Sequence, residues 1–266
     1  MFGGKKKAEF DYFSELPENR DKKAYRPNHV LVPFSIIIAG ALIAGAIVYN
    51  GRFATDSAAL ASTSTTVTPT IGSNGVSTTT VSVSLQDGHE EGNKNAKVAI
   101  VEFSDYECPY CQSFFQNSLP SIESAYIKTN KVLHIFKDYP LSSIHPYALV
   151  GAEAAWCAGE QGKYWQMHDT IYSTNQSQND QTKLESDAAS LGLNTSQFNA
   201  CVQNNKYSNQ IQTDVNDGNK IGVQGTPTVL IGTYNARNNT VTGNLVYGAY
   251  PYATFQTLLD QYLKKA

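Results

Sequence analysis

Apolar positions run almost without a break through Lys97-Val98-Ala99-Ile100-Val101-Glu102-Phe103, with a single acid near the end. A strand covered on both faces has this pattern. Apolar residues then fall at helical spacing, beginning Cys111-Gln112-Ser113-Phe114-Phe115, which predicts a helix from 109 to about 129, interrupted or kinked at Pro120. Lys131-Val132-Leu133-His134-Ile135-Phe136-Lys137-Asp138-Tyr139 predicts a second strand, stopped by Pro140. From 146 to about 219 the spacing is helical, with segments expected at 148–158, 163–172, 187–191, 195–203 and 206–221. Strand patterns return at 228–231 and 245–247, and a last helix is expected at 252–264. The order is βαβ, then helices, then ββα, an α/β fold with a helical insertion at about 144–221.

Ahead of this domain the pattern changes twice. Positions 30–49 are twenty residues without a charge, about the length that crosses a hydrocarbon core. Lys5, Lys6, Lys7, Arg20, Lys22, Lys23 and Arg26 precede them and only Arg52 stands just behind, so the bias predicts a cytoplasmic N-terminus and an extracytoplasmic remainder. An uncleaved, single-pass cell-membrane anchor is expected. A cleaved signal peptide competes with it, because small residues such as Ala58-Ala59-Leu60-Ala61 follow, but the long hydrophilic extension ahead of the span exceeds a signal peptide's charged region. From 54 to 86 Ser, Thr, Val, Ala and Gly dominate, with one acid and no base. Such a segment buries too little apolar surface to offset its ordering entropy and reads as a tether, although the Thr/Val alternation near 76–85 could add a strand to something. The expected organisation is a cytoplasmic tail at 1–29, a transmembrane anchor at 30–50, a Ser/Thr-rich linker at 51–91 and a single domain at 92–266.

After residue 50 the chain carries 13 basic and 18 acidic residues, a net charge of −5 with no long run of either sign. That argues against nucleic acid as a partner. Four cysteines, an even number in an exported domain, fit an oxidising compartment.

Candidate chemistry concentrates in Cys108-Pro109-Tyr110-Cys111, a C-x-x-C at a strand-to-helix junction and so a candidate redox dithiol. Cys108 is placed as helix N-cap with Pro109 at N1, where its missing N–H costs nothing. Unpaired N–H groups and the positive dipole end then favour a thiolate. Cys108 is expected to be the exposed, low-pKa nucleophile and Cys111, a turn deeper, the resolving thiol. Two other uses of the pair compete. A zinc site would need Cys157 and Cys201 as its second half, yet these stand 44 positions apart rather than in a short knuckle. A permanent disulfide across two intervening residues closes a strained ring that is readily reduced.

The run Val101-Glu102-Phe103-Ser104-Asp105-Tyr106-Glu107-Cys108-Pro109-Tyr110-Cys111, the segment from Ala154-Ala155-Trp156-Cys157 to Trp165-Gln166-Met167-His168-Asp169, and Gly225-Thr226-Pro227-Thr228-Val229 together resemble the DsbA-type thiol:disulfide oxidoreductases over 95–265. The resemblance implies a thioredoxin-like fold, βαβ then ββα with a helical domain inserted, here preceded by one transmembrane helix. It implies donation of disulfides to exported proteins with cysteine thiols, no organic cofactor or metal, and re-oxidation by a quinone-linked membrane oxidase. Residues 30–49 would hold the domain near such a partner in the lipid bilayer. The Thr226–Pro227 bond is then expected to be cis, turning the Thr226 backbone toward the active sulfur to pair with an extended substrate. Tyr110 would touch substrate. Glu102 matches by position a buried acid of the family, able to relay the proton of Cys111, with Lys137 as its expected counter-charge. A reductase or isomerase would use the same dithiol, and Pro-Tyr between the cysteines also resembles glutaredoxins. A holdase or assembly factor for exported chains would use neither thiol.

Cys157 and Cys201 fall in different inserted helices and are expected to form a structural disulfide, worth roughly 4 kcal/mol by loop entropy; separate buried thiols and a redox relay stay open. His145 and His168 are expected to cap or pack. Glu107, beside Cys108, would oppose its thiolate if close.

Overall fold

The computed structural model describes residues 70–85, 88–174 and 179–266. The expected tail at 1–29, the anchor at 30–50 and most of the linker lie outside the described residues. Among the described residues no helix is long and apolar enough to cross a membrane.

Six strands form one mixed sheet: β1 (Val76–Ser84), β2 (His89–Gly92), β3 (Val98–Ser104), β4 (Val132–Asp138), β5 (Thr228–Asn235) and β6 (Thr240–Tyr247), in the order β1-β6-β5-β3-β4-β2. Only β3 and β4 are parallel, joined by a helical crossover, while β2, β5, β6 and β1 run antiparallel to their neighbours. Both parallel strands are buried along their whole length, as their apolar runs predict. Val98 and Ile100 point into a core with Phe114, Leu119, Ile122 and Phe255. Ala99, Val101 and Phe103 point the other way, toward Val81, Val83, Tyr139 and Ile221.

The linker expected at 51–91 is corrected at its C-terminal end, because β1 and β2 belong to the sheet. Val81, Val83 and Leu85 are buried against β6 while the intervening Ser82 and Ser84 face out. This is the alternation of a half-buried edge strand. A single strand of this composition has no stable state of its own, and only the exposed edge of β6 makes it pay its ordering entropy.

The crossover opens with α1 (Pro109–Asn117), breaks at Ser118 and resumes as α2 (Leu119–Ile122), which continues through a π-type turn at Glu123–Ile127. Pro120 lies in the first turn of α2, where a missing N–H is tolerated. The break therefore falls two residues ahead of the proline rather than at it. Five helices make the insertion: α3 (Ala148–Gly159), α4 (Tyr164–Ser173), α5 (Gln181–Ser190), α6 (Thr195–Gln203) and α7 (Ser208–Ile221). A last helix, α8 (Tyr252–Leu263), packs on the sheet. α5 begins six positions earlier than the expected 187–191. Its N-cap is Asp180, whose carboxylate accepts the Lys183 N–H at 2.9 Å. The inserted helices and the active-site loop share a third core containing Tyr106, Cys108, Cys111, Phe136, Met167 and Tyr172.

Candidate active site

Cys108 is the N-cap of α1, with extended backbone (φ −74°, ψ 121°) and Pro109 directly after it. Its carbonyl accepts the Gln112 N–H at 3.1 Å to close the first turn, and its own N–H donates to the Asp105 carbonyl at 3.1 Å. Both active-site cysteines are free thiols. The Cys108 thiol is lowered to about 6, chiefly by the hydrogen bond from the Cys111 thiol; burial opposes the shift, and the Thr226 side chain and the N–H groups of Cys111 and Tyr110 assist it. Cys111 moves the other way, well above the ordinary thiol value, because it is buried and faces the charge on Cys108. Its Sγ accepts the Asp105 N–H at 3.4 Å. The two thiols are thus displaced in opposite directions. Contrary to expectation, Cys108 is only 4% exposed: the Thr226 loop lies across it, with the Cys108 Sγ donating to the Thr226 carbonyl at 3.4 Å.

The Thr226–Pro227 bond is cis. The Thr228 hydroxyl donates to the Gly225 carbonyl at 2.6 Å and closes the turn. Beside it opens a cleft of about 270 Å³ lined by Ile71, Gly225, Thr226, Pro227 and Tyr247. Tyr110, in the first turn of α1, is 67% exposed.

Glu102 is buried in β3, and its Oε2 lies 3.2 Å from His134 Nε2. The expected counter-charge, Lys137, is corrected. In the parallel register Glu102 sits opposite Phe136 and Lys137 opposite Phe103, so the side chains of Glu102 and Lys137 project to opposite faces of the sheet. Lys137 meets Asp214 at 2.6 Å and Asp217 at 3.2 Å on α7, while His134, which alternates with Lys137 on β4, faces Glu102.

Two residues meet beside the active-site loop that their sequence context does not bring together. Asp105 is fully buried, and its carboxylate accepts the Glu107 N–H at 2.7 Å, the Leu141 N–H at 2.7 Å and the His145 Nδ1 at 2.8 Å. In the sequence the only sign of Asp105 is its place three residues ahead of Cys108. His145, expected to cap or pack, pairs with Asp105 instead. Glu107 turns to the Tyr147 N–H at 2.5 Å. His168 packs, as expected, among Phe136, Tyr106 and Tyr172 and meets Asp169 at 2.9 Å.

Cys157 of α3 and Cys201 of α6 are joined in a disulfide with Cα atoms 5.8 Å apart, which removes the zinc reading for that pair.

A family model described as thioredoxin matches residues 84–245. Among curated proteins, a Na(+)/H(+) antiporter NhaA 1 of Salinispora arenicola is 31% identical over 169 residues, covering 61% of this chain and 25% of the antiporter. This chain therefore spans about a quarter of that relative's length. A Rickettsia conorii protein, named provisionally as a protein-disulfide oxidoreductase, is 26% identical over 179 residues, 65% of this chain and 60% of its own. Among solved structures, alpha-DsbA1 of Wolbachia pipientis superposes with a TM-score of 0.58 at 24% identity, covering 69% of this chain and 94% of that one. At that identity the likeness speaks for the fold.

Proposed function

The chain belongs to the thioredoxin family, and we propose that it is a thiol:disulfide oxidoreductase that donates disulfides to the cysteine thiols of exported proteins. The observation that carries this reading is the opposite displacement of two neighbouring thiols, Cys108 down to about 6 and Cys111 well up. Stabilising a thiolate in the dithiol form makes the corresponding disulfide the more oxidising. In the forward reaction a substrate thiolate attacks Cys108 Sγ, the Cys108–Cys111 bond breaks, and its electron pair leaves on Cys111. Glu102, beneath α1 and paired with His134, supplies the proton that Cys111 takes up. A second substrate thiolate then attacks the substrate sulfur of the mixed disulfide, forming the substrate disulfide and releasing Cys108 as thiolate. Thr226 offers backbone beside the reacting sulfur, with the adjoining cleft and Tyr110 as side-chain contacts. Two electrons pass to the cysteine pair in each cycle, and a quinone-linked membrane oxidase is the proposed acceptor.

Direction is tested by the reduction potential of the Cys108–Cys111 pair in the full-length protein. A value toward about −120 mV is expected, and one near about −270 mV would make the protein a reductant and sink the oxidase reading.

Residues 30–49 are proposed as the lipid anchor, on their length, lack of charge and flanking bases. Full-length protein should stay in membranes through alkaline carbonate extraction and retain its N-terminal residues. Recovery of a soluble form beginning within the Ala-rich stretch near Ala54–Ala61 would mean that the segment is cleaved.

A further inference from the structure

Just ahead of β1 the chain turns back on itself, and Ile71 bridges to Ser77. The Gly72 N–H donates to the Val76 carbonyl at 2.9 Å, the Gly75 N–H to the Gly72 carbonyl at 3.0 Å, and the Thr78 N–H to the Thr70 carbonyl at 2.9 Å. Gly75 takes a φ of 74°, which glycine adopts without strain, and a Cβ there would strike the Tyr250 ring. Its carbonyl accepts the Tyr247 N–H at 3.0 Å, which fastens this hook to the end of β6. Backbone bonds around Ile71 thus hold it in place, while its side chain stays 46% exposed. The hook lies outside the stretch matched to the thioredoxin family, 84–245.

A lone exposed aliphatic side chain means nothing by itself. Ile71, however, lines the cleft beside the cis Thr226–Pro227 bond, together with Pro227 and Tyr247. None of the residues lining that cleft is charged. Its volume of about 270 Å³ falls below the roughly 300–1,000 Å³ of clefts that enclose whole small molecules, and suits one large side chain. Two of its walls are tied down as well. The Tyr247 hydroxyl donates to the Gly222 carbonyl at 3.1 Å, and the Pro227 carbonyl accepts the Gly248 N–H at 2.8 Å. The cleft is therefore shaped before a substrate arrives, which limits the ordering cost of binding.

We propose that Ile71 is a specificity-determining residue: with Pro227 and Tyr247 it receives an apolar side chain of the substrate that stands within two residues of the reacting cysteine. This deepens the oxidoreductase reading and rests on it. Cys108 Sγ meets the Thr226 carbonyl at 3.4 Å, and Thr226 and Pro227 both line the cleft. A polypeptide whose cysteine reaches Cys108 therefore carries its neighbouring residues past that opening, at about 3.3 Å per residue when extended. An aliphatic or aromatic side chain seated there removes its own surface and that of Ile71 from water. A charged one would lose hydration and find no partner in the lining. Cysteines of folded proteins are among the most buried residues, so the unfolded segments that carry them supply apolar neighbours of this kind. The residues that join the domain to the chain ahead of it thereby form one wall of the exchange site.

The test uses full-length protein with its Cys108–Cys111 disulfide formed. It is mixed with single-cysteine peptides that differ only in having Leu or Ser on both sides of the cysteine, and with glutathione as a thiol without apolar neighbours. Each thiolate attacks Cys108 Sγ and the electron pair of the broken bond leaves on Cys111. The readout is the rate at which the Cys111 thiol appears, taken per thiolate of the attacking compound. Wild-type protein should react about threefold to tenfold faster with the Leu peptide than with the Ser peptide, the size expected for partial burial of one aliphatic side chain. Ile71→Ser should remove most of that preference and leave the glutathione rate unchanged. Ile71→Leu, apolar and of the same size, should retain the preference. A wild-type protein that reacts equally with both peptides overturns the proposal, and so does an unaltered preference in Ile71→Ser. An equal loss toward all three thiols in Ile71→Ser also overturns it, because Ile71 would then act on the fold or on Cys108 itself. Wild-type protein that reacts with none of the three would instead defeat the oxidoreductase reading on which the proposal stands.

Discussion

Full-length protein carrying Cys111→Ser is expected to accumulate exported proteins bound covalently through Cys108, visible as reducible high-mass species on non-reducing gels. Cys108 keeps its N-cap position and the Thr226 contact in this variant. Thiolate attack on a substrate disulfide can still form the mixed disulfide and expel the substrate's other thiolate. The thiol that would attack Cys108 Sγ and release the substrate has gone. Loss of the Cys111 hydrogen bond, the largest influence lowering Cys108, should slow the first attack, so the complexes accumulate gradually and persist. Cys108→Ser in the same cells should trap nothing and abolish exchange altogether. A protein that only holds unfolded chains would behave alike in all three forms, and that result would falsify the oxidoreductase reading. Glu102→Gln should give a partial version of the Cys111→Ser effect. Cys111 retains its sulfur but loses the group proposed to move its proton, so mixed disulfides should form and resolve slowly.

Replacing Cys157 and Cys201 together by Ala is expected to lower stability by about 4 kcal/mol, within the range of 2–5 kcal/mol found for native disulfides. The cross-link spans 44 positions and ties α3 to α6, and without it the unfolded chain regains that loop's freedom. For a domain of this size such a loss moves the thermal midpoint by on the order of 10 °C. The exchange rate of Cys108 should change little, since the bridge supplies none of the contacts that set the Cys108 thiol. The paired measurements are thermal unfolding and the rate of thiol exchange. Unchanged stability together with lost turnover would make Cys157 and Cys201 a redox relay and end their structural assignment.

Much of the fold was legible because it depends on short-range pattern. The apolar runs of β3 and β4 could only be buried strands, since no solvent-facing element tolerates that density of Val, Ile, Leu and Phe. Helix α6 appears at its expected limits, 195–203, because Asn194 caps it, accepting the Gln197 N–H at 3.0 Å. α5 extends beyond its expected limits because its cap, Asp180, stands in a polar stretch where nothing but the hydrogen bond distinguishes it. β1 is only half legible for a similar reason: its Thr/Val alternation is visible, but its partner β6 lies about 160 residues away in the chain.

By itself the sequence determined the α/β order with its helical insertion, the placing of Cys108 at a helix start, and the candidate pairing of Cys157 with Cys201. Each follows from residues near one another in the chain or from the count of cysteines. Tertiary structure alone decided the partners of the charged groups. Glu102 meets His134 and not Lys137 because the strands are in register and successive side chains alternate between faces. Asp105 meets His145, 40 positions on, because the chain leaving β4 turns back over the active-site loop. Pairings of this kind depend on register and on loop return, neither of which leaves a local trace in composition or periodicity.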